Sequence, residues 1–233
     1  MNATHDHIVK SYDAELARLT GEIVAMGECA VAQLDEAMDA LERRDNGRAR
    51  RVIADDAAID AREREVSQGV LRLLALRQPI ARDLREVLSA LRIASDIERI
   101  GDYAANIARR VLALNRMAPA QPADGPAALA ALAAALVREV LRAYAARDAE
   151  RARIAWLRDA ELDALYGALC RELMIRMNED ARGVAACTHL LFVAKHIERI
   201  GDHATNIAEN VWFAVHGEAL AETRRRIEAS GAD

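Results

Sequence analysis

The feature that most limits how this chain can fold is a motif that occurs twice. Ile97-Glu-Arg-Ile-Gly-Asp-Tyr-Ala-Ala-Asn-Ile-Ala108 matches residues 197–208 at ten of twelve positions after a shift of 100. A second block, residues 44–61, matches residues 147–164 at nine of eighteen positions after a shift of 103. Arg44, Asp45, Arg48-Ala49-Arg50, Asp56-Ala57 and Asp60-Ala61 each meet their own kind. The change from 103 to 100 means that the second copy has lost three residues between the two blocks. Such self-similarity marks a tandem duplication of one supersecondary unit.

Hydrophobic spacing identifies that unit as helical. Leu16, Leu19, Ile23, Met26, Leu34, Met38 and Leu41 recur at three- and four-residue steps, predicting a first helix from about Ser11 to Arg44. Asp45-Asn46-Gly47 breaks it. Val52, Ile59, Val66, Val70 and Leu73 define a second helix, which stops near Gln78-Pro79 because proline cannot continue a helix interior. A third runs from about Ile80 to Asn115. The pattern then restarts, with helices predicted over Ala127 to Ala146, Ala149 to Met177 and Val184 to Val215. Aromatic residues make up only 3% of the chain while alanine is abundant, which suits close helix packing and disfavours sheet. The reading is all-α: two tandem antiparallel three-helix bundles, residues 1–116 and 127–216. Residues 117–126, with three of the four prolines, form a linker by composition, and residues 217–233 a polar tail.

The charge balance limits the partners. A formal net charge of −5 with mixed signs offers no basic footprint for nucleic acid, and Arg224-Arg225-Arg226 lies between Glu222 and Glu228 on a solvated face. No apolar run reaches the roughly 18 residues that a membrane span needs. The first residues lack the basic and apolar regions of a secretory signal. Cys29, Cys170 and Cys187 lie far apart without a CxxC pair, which fits buried thiols in a reducing compartment. The expected location is the cytoplasm, with no membrane insertion.

The candidate chemistry lies in the duplicated motif. Glu98 and Asp102, like Glu198 and Asp202, are four residues apart and stack on one helix side, with Asn106 and Asn206 a turn further. On a helical wheel the isoleucine stripe of Ile93, Ile97, Ile100 and Ile107 lies roughly 180° from this acidic row, so the carboxylates are predicted to face outward. Like charges at this spacing cost a helix about 0.2–0.5 kcal/mol, and glycine at 101 or 201 costs about 1 kcal/mol against alanine. Both costs recur in both copies, and a bound cation would offset them. Asp56 with Asp60, and Asp159 with Asp163, repeat the spacing one helix earlier, and antiparallel neighbours would bring them towards the first rows. Such all-oxygen ligation suits magnesium, manganese or iron. The bland alternative is a solvated surface in which Arg99 pairs with Asp102. His189, His196 and His203 share one helix side but have no counterparts in the first copy. Gly101 and Gly201 are read as close-packing positions before ion-approach positions. A ferritin-like metal-storage or redox bundle would need Glu-x-x-His, which no histidine here supplies. No nucleophile elbow or phosphate loop is present, so no catalytic residue is assigned.

The two Glu-Arg-Ile-Gly-Asp motifs, the turn Arg77-Gln-Pro-Ile-Ala-Arg-Asp-Leu-Arg85 and the opening Tyr12-Asp-Ala-Glu-Leu together resemble the PhoU family, nearly end to end and twice over. The resemblance implies a pair of three-helix bundles and an adaptor rather than an enzyme. It implies negative regulation of the phosphate-starvation response, linking the ATPase of a phosphate ABC transporter to the sensor histidine kinase of a two-component system. It further implies a homodimer. Metal ions, often multinuclear (iron, manganese or magnesium, with zinc as a further option), would bind Glu98, Asp102, Glu198 and Asp202, with Asp56, Asp60, Asp159 and Asp163 as the companion motif.

Overall fold

A computed structural model describes residues 2–117 and 125–220, with side chains from Tyr12 onward. Seven α-helices are present among these residues, and no strand. The first repeat contains α1 (Asn2–Arg43), α2 (Asn46–Arg77) and α3 (Ala81–Leu114). The second contains α4 (Gly125–Ala146), α5 (Ala149–Leu157), α6 (Asp159–Glu179) and α7 (Val184–His216), with a 3-10 turn Ala181–Gly183 before α7. The predicted linker residues 118–124 and tail residues 221–233, including Arg224-Arg225-Arg226, lie outside the described residues.

The turns show why the chain reverses where it does. Asp45 takes extended backbone angles, and its carboxylate accepts the backbone N–H groups of Gly47 and Arg48 at 2.8 and 3.0 Å. Asp148, its duplicate, accepts the N–H of Arg151 at 2.9 Å. Both are N-caps that satisfy donors a helix start leaves bare. The preceding residues, Arg44 and Arg147, have φ of 52° and 53°, a left-handed conformation that side chains other than glycine rarely adopt. Each holds it by reaching to another helix. Arg44 donates to the carbonyls of Leu114 and Met117 at the end of α3, at 3.1 and 2.9 Å. Arg147 pairs with Glu86 of α3 at 2.8 Å. Gln78, at φ 47°, closes α2 where the proline signal placed its end.

Each repeat buries the stripe that periodicity picks out. Ile23, Met26, Leu34, Ile59, Ile93, Ile97, Ile100 and Ile107 are shielded from solvent, as are Val137, Leu162, Ile197, Ile200 and Ile207 in the second repeat. The largest helix–helix contact joins the two duplicated helices, α3 and α7. They cross antiparallel, since Asp96 meets His203 while Tyr103 meets His196. Under the shift of 100 these two pairs exchange, so a local pseudo-twofold axis relates the repeats.

The helix bounds depart from the sequence reading in three places. The predicted fifth helix is two helices, broken at Arg158. The first repeat has a continuous α2 there; the second puts Trp156 where the first has Ile53, and the indole N–H donates to Glu209 of α7 at 3.1 Å. Asp159, the first residue after the break, is buried. Helix α4 begins two residues before the predicted start, with Pro126 in its first turn, where a missing N–H costs nothing. Helix α1 starts well before Ser11.

Candidate metal centre

The acidic rows do not point straight out. In α3 the exposed line runs through Ser95, Arg99 and Arg109, whereas Glu98, Asp102 and Asn106 are half-buried. The wheel argument counts a single buried stripe. In the folded chain α3 is buried on two sides, because Ala94, Gly101, Ala105 and Ala108 form a second covered face. The carboxylates therefore lie at the edge of the α2–α3 seam. The same holds in α7, where the Glu198 side chain is only 13% exposed.

The glycines create that seam. A Cβ on Gly101 would stand 2.9 Å from Ile59 Cδ1, and one on Gly201 would stand 2.1 Å from Leu162 Cδ2. Ile59 lies between Asp56 and Asp60, and Leu162 between Asp159 and Asp163. Close approach at the glycine thus sets one acidic row beside the other.

In the first repeat all four expected carboxylates act on one another. Burial raises the pKa of Glu98 above the usual carboxylate range, and the charges of Asp102, Asp60 and Glu63 add to the rise while Arg99 opposes it. Burial also raises Asp56, helped by Asp102 and Asp60 and opposed by Arg109. Glu63, which the spacing argument missed, accepts a hydrogen bond from Ser67 at 2.7 Å and faces the same cluster. Its position three residues after Asp60 was the available signal. Beneath the ladder lies Gln33 of α1, only 8% exposed, with its Oε1 against Gly101 and without a hydrogen-bond partner.

In the second repeat Asp159 is buried, with Oδ1 3.3 Å from the place of a Gly201 Cβ, so it reaches α7 between Glu198 and Asp202. Asp163 is half-buried on α6. Lys195, also missed, pairs with Glu198 at 2.6 Å. The histidines take structural roles. His203 Nδ1 meets Asp96 Oδ1 at 2.8 Å, and His196 packs beside Tyr103, where burial and Arg110 depress its pKa.

These donors are oxygens, the set that hard cations take, and the mutual repulsion and orphaned Gln33 carbonyl fit a cation in the first repeat. Among the described residues no three Asp, Glu, His or Cys side chains are already closed into a ligand set, so a cation would have to draw the rows together.

A family model, the PhoU domain, matches residues 23–111 and again residues 127–211. The chain belongs to the PhoU family. A phosphate-specific transport system accessory protein PhoU homolog of Xylella fastidiosa is 54% identical over 229 residues, covering 98% of this chain and 97% of the relative. The Caulobacter vibrioides homolog is 44% identical over 224 residues, covering 96% and 97%. Among solved structures, PhoU from Pseudomonas aeruginosa superposes with a TM-score of 0.85 at 35% identity, covering 89% of this chain and all of that one. The phosphate transport system regulatory protein PhoU from Streptococcus pneumoniae gives 0.83 at 29% identity, covering 90% and 99%. The twofold match of the PhoU model falls on the two repeats that the duplication defines.

Proposed function

We propose that this PhoU-family chain is an accessory protein of a phosphate transport system, acting as an adaptor rather than an enzyme. The observation that carries this reading is the 54% identity, across nearly the full length of both chains, to a phosphate-specific transport accessory protein. In this reading the chain works in the cytoplasm, as a homodimer. It links the ATPase of the phosphate ABC transporter to the sensor histidine kinase and restrains the starvation response when phosphate is plentiful. No helix among the described residues is long and apolar enough to cross a membrane, which is compatible with docking onto the inner ends of membrane partners.

The acidic ladders are proposed cation sites: Glu98, Asp102, Asp56 and Asp60 in one repeat, and Glu198, Asp202, Asp159 and Asp163 in the other. A bound iron, manganese or magnesium ion would supply positive charge there. The chain's own contribution is to hold two rows of carboxylates on adjacent helices at a glycine-narrowed seam. Neutralising that repulsion would tie α2 to α3, and α6 to α7.

Deleting the gene is expected to switch on phosphate-starvation reporters in phosphate-rich medium; unchanged expression ends the regulatory reading. Elemental analysis of protein purified without chelator tests the sites separately. The double variant E98A/D102A is expected to lose about half the bound metal, and a metal content equal to wild type refutes the assignment.

A further inference from the structure

The duplication supplies an internal control, because each group around one ladder has a counterpart around the other. At the Glu98 end of the first ladder the neighbours are Glu63 on α2 and Ser95 on α3. The second repeat places Tyr166 and Lys195 at the matching positions. Lys195 Nζ lies 2.6 Å from Glu198 Oε2 and 5.5 Å from the centre of the Tyr166 ring. An ammonium thus lies directly on this carboxylate, whereas Glu98 has Glu63 and, at the longer distance of 3.5 Å, only the Nε of the more exposed Arg99. Beneath the ladders the difference repeats. Gln33, with its buried, unpartnered Oε1 against Gly101, is matched by Leu136.

The arginines narrow this contrast without removing it. Arg99 and Arg199 lie 3.3 and 3.6 Å from Asp102 and Asp202, and Arg99 also reaches Glu98 at 3.5 Å, from a side chain more than half exposed. Arg109 lies at the far end of the first ladder, 4.0 Å from Asp56, and donates to Asn106 at 2.7 Å. Its counterpart Glu209 is engaged by Trp156.

We infer that the two ladders are unequal: the first repeat binds a hard cation more tightly, at the Glu63–Glu98 end, and in the second repeat Lys195 holds that position as a built-in counter-ion. The inference rests on the reading of the ladders as cation sites. Two positive charges repel at close range, so a cation at Glu198 has to displace Lys195 or share its carboxylate. At the Glu98 end a cation meets two carboxylates, Glu98 and Glu63, against a single arginine 3.5 Å from Glu98, and carboxylate oxygens are what a divalent ion needs to replace its water shell.

The test is a titration of metal-stripped full-length protein with Mn²⁺, following free ion by electron paramagnetic resonance. Wild type is expected to show two classes of site at least tenfold apart. K195S, which copies the first repeat, is expected to tighten the weak class and leave the tight class alone. S95K, which installs the second repeat's ammonium on an exposed position, is expected to weaken the tight class. Two equal classes in wild type, unmoved by either exchange, overturn the inequality while leaving the ladders as sites. No Mn²⁺ binding in any variant overturns the ladder reading itself, and this inference with it.

Discussion

Gly201 and Gly101 perform the same task under different pressure. A methyl group at 201 would enter the space of Leu162, which is fully buried and has little freedom to move. At 101 the obstacle is the tip of Ile59, with nearly an ångström more room. G201A is expected to lose about 1–2 kcal/mol by overpacking, after the helix-propensity gain of alanine is counted. G101A should lose clearly less. Urea unfolding of both variants checks the order, and equal losses would contradict the seam geometry. At Asp45 the hydrogen bonds from Arg48 and Gly47 hold the carboxyl below its usual pKa. A depressed folded-state value makes Asp45 stabilising above the unfolded value of about 3.9, and that contribution fades as pH falls through the lower folded-state value. D45N keeps a capping side chain but does not titrate. Its stability relative to wild type should therefore be least favourable near neutral pH and recover in acid, as measured by denaturation at pH 7 and pH 3.

Among the elements, the broken α5–α6 pair is where the two repeats differ most. Trp156 replaces Ile53, and its N–H bonds Glu209 across to α7. The bond is partly buried and its acceptor is charged, a class that contributes about 1.5–3 kcal/mol. W156F keeps most of the packing and removes the donor. We expect a loss of about 1.5 kcal/mol in thermal or urea unfolding, with the helical circular dichroism signal intact. If stability is unchanged, the indole hydrogen bond is not what secures the bend. Periodicity could not show this break, because α5 and α6 carry one continuous apolar pattern and no proline or glycine stands at Arg158, where it falls. The end of α2 was readable because Pro79 enforces it locally.

At the scale of the molecule, the repeats are joined through α3 and α7. Asp96 Oδ1 takes both His203 Nδ1 at 2.8 Å and Asn206 Nδ2 at 3.3 Å, across the helix crossing. D96A leaves half-buried His203 without its acceptor, while the exposed Asn206 amide can turn to water. It is expected to destabilise the chain by about 1–3 kcal/mol. The loss should appear as weaker coupling between repeats, with hydrogen exchange in α7 rising more than in α1. Uniform exchange would show that the apolar contact alone holds the crossing.

The tandem all-helical plan, the apolar stripes, the Asp45 and Asp148 turns and the two acidic rows were all determined by sequence, because each depends on residues a few positions apart. Short-range spacing sets a helix face and a cap whatever the rest of the chain does. The direction in which the acidic rows point was decided by tertiary structure, since the second buried face of α3 forms only where Gly101 lets α2 and α1 pack close against it. Gln33 also became visible only there, as did the meeting of Glu63 with the acidic row of α3. Their meaning comes from what stands opposite them, and facing groups in separate helices leave no periodic trace along the chain.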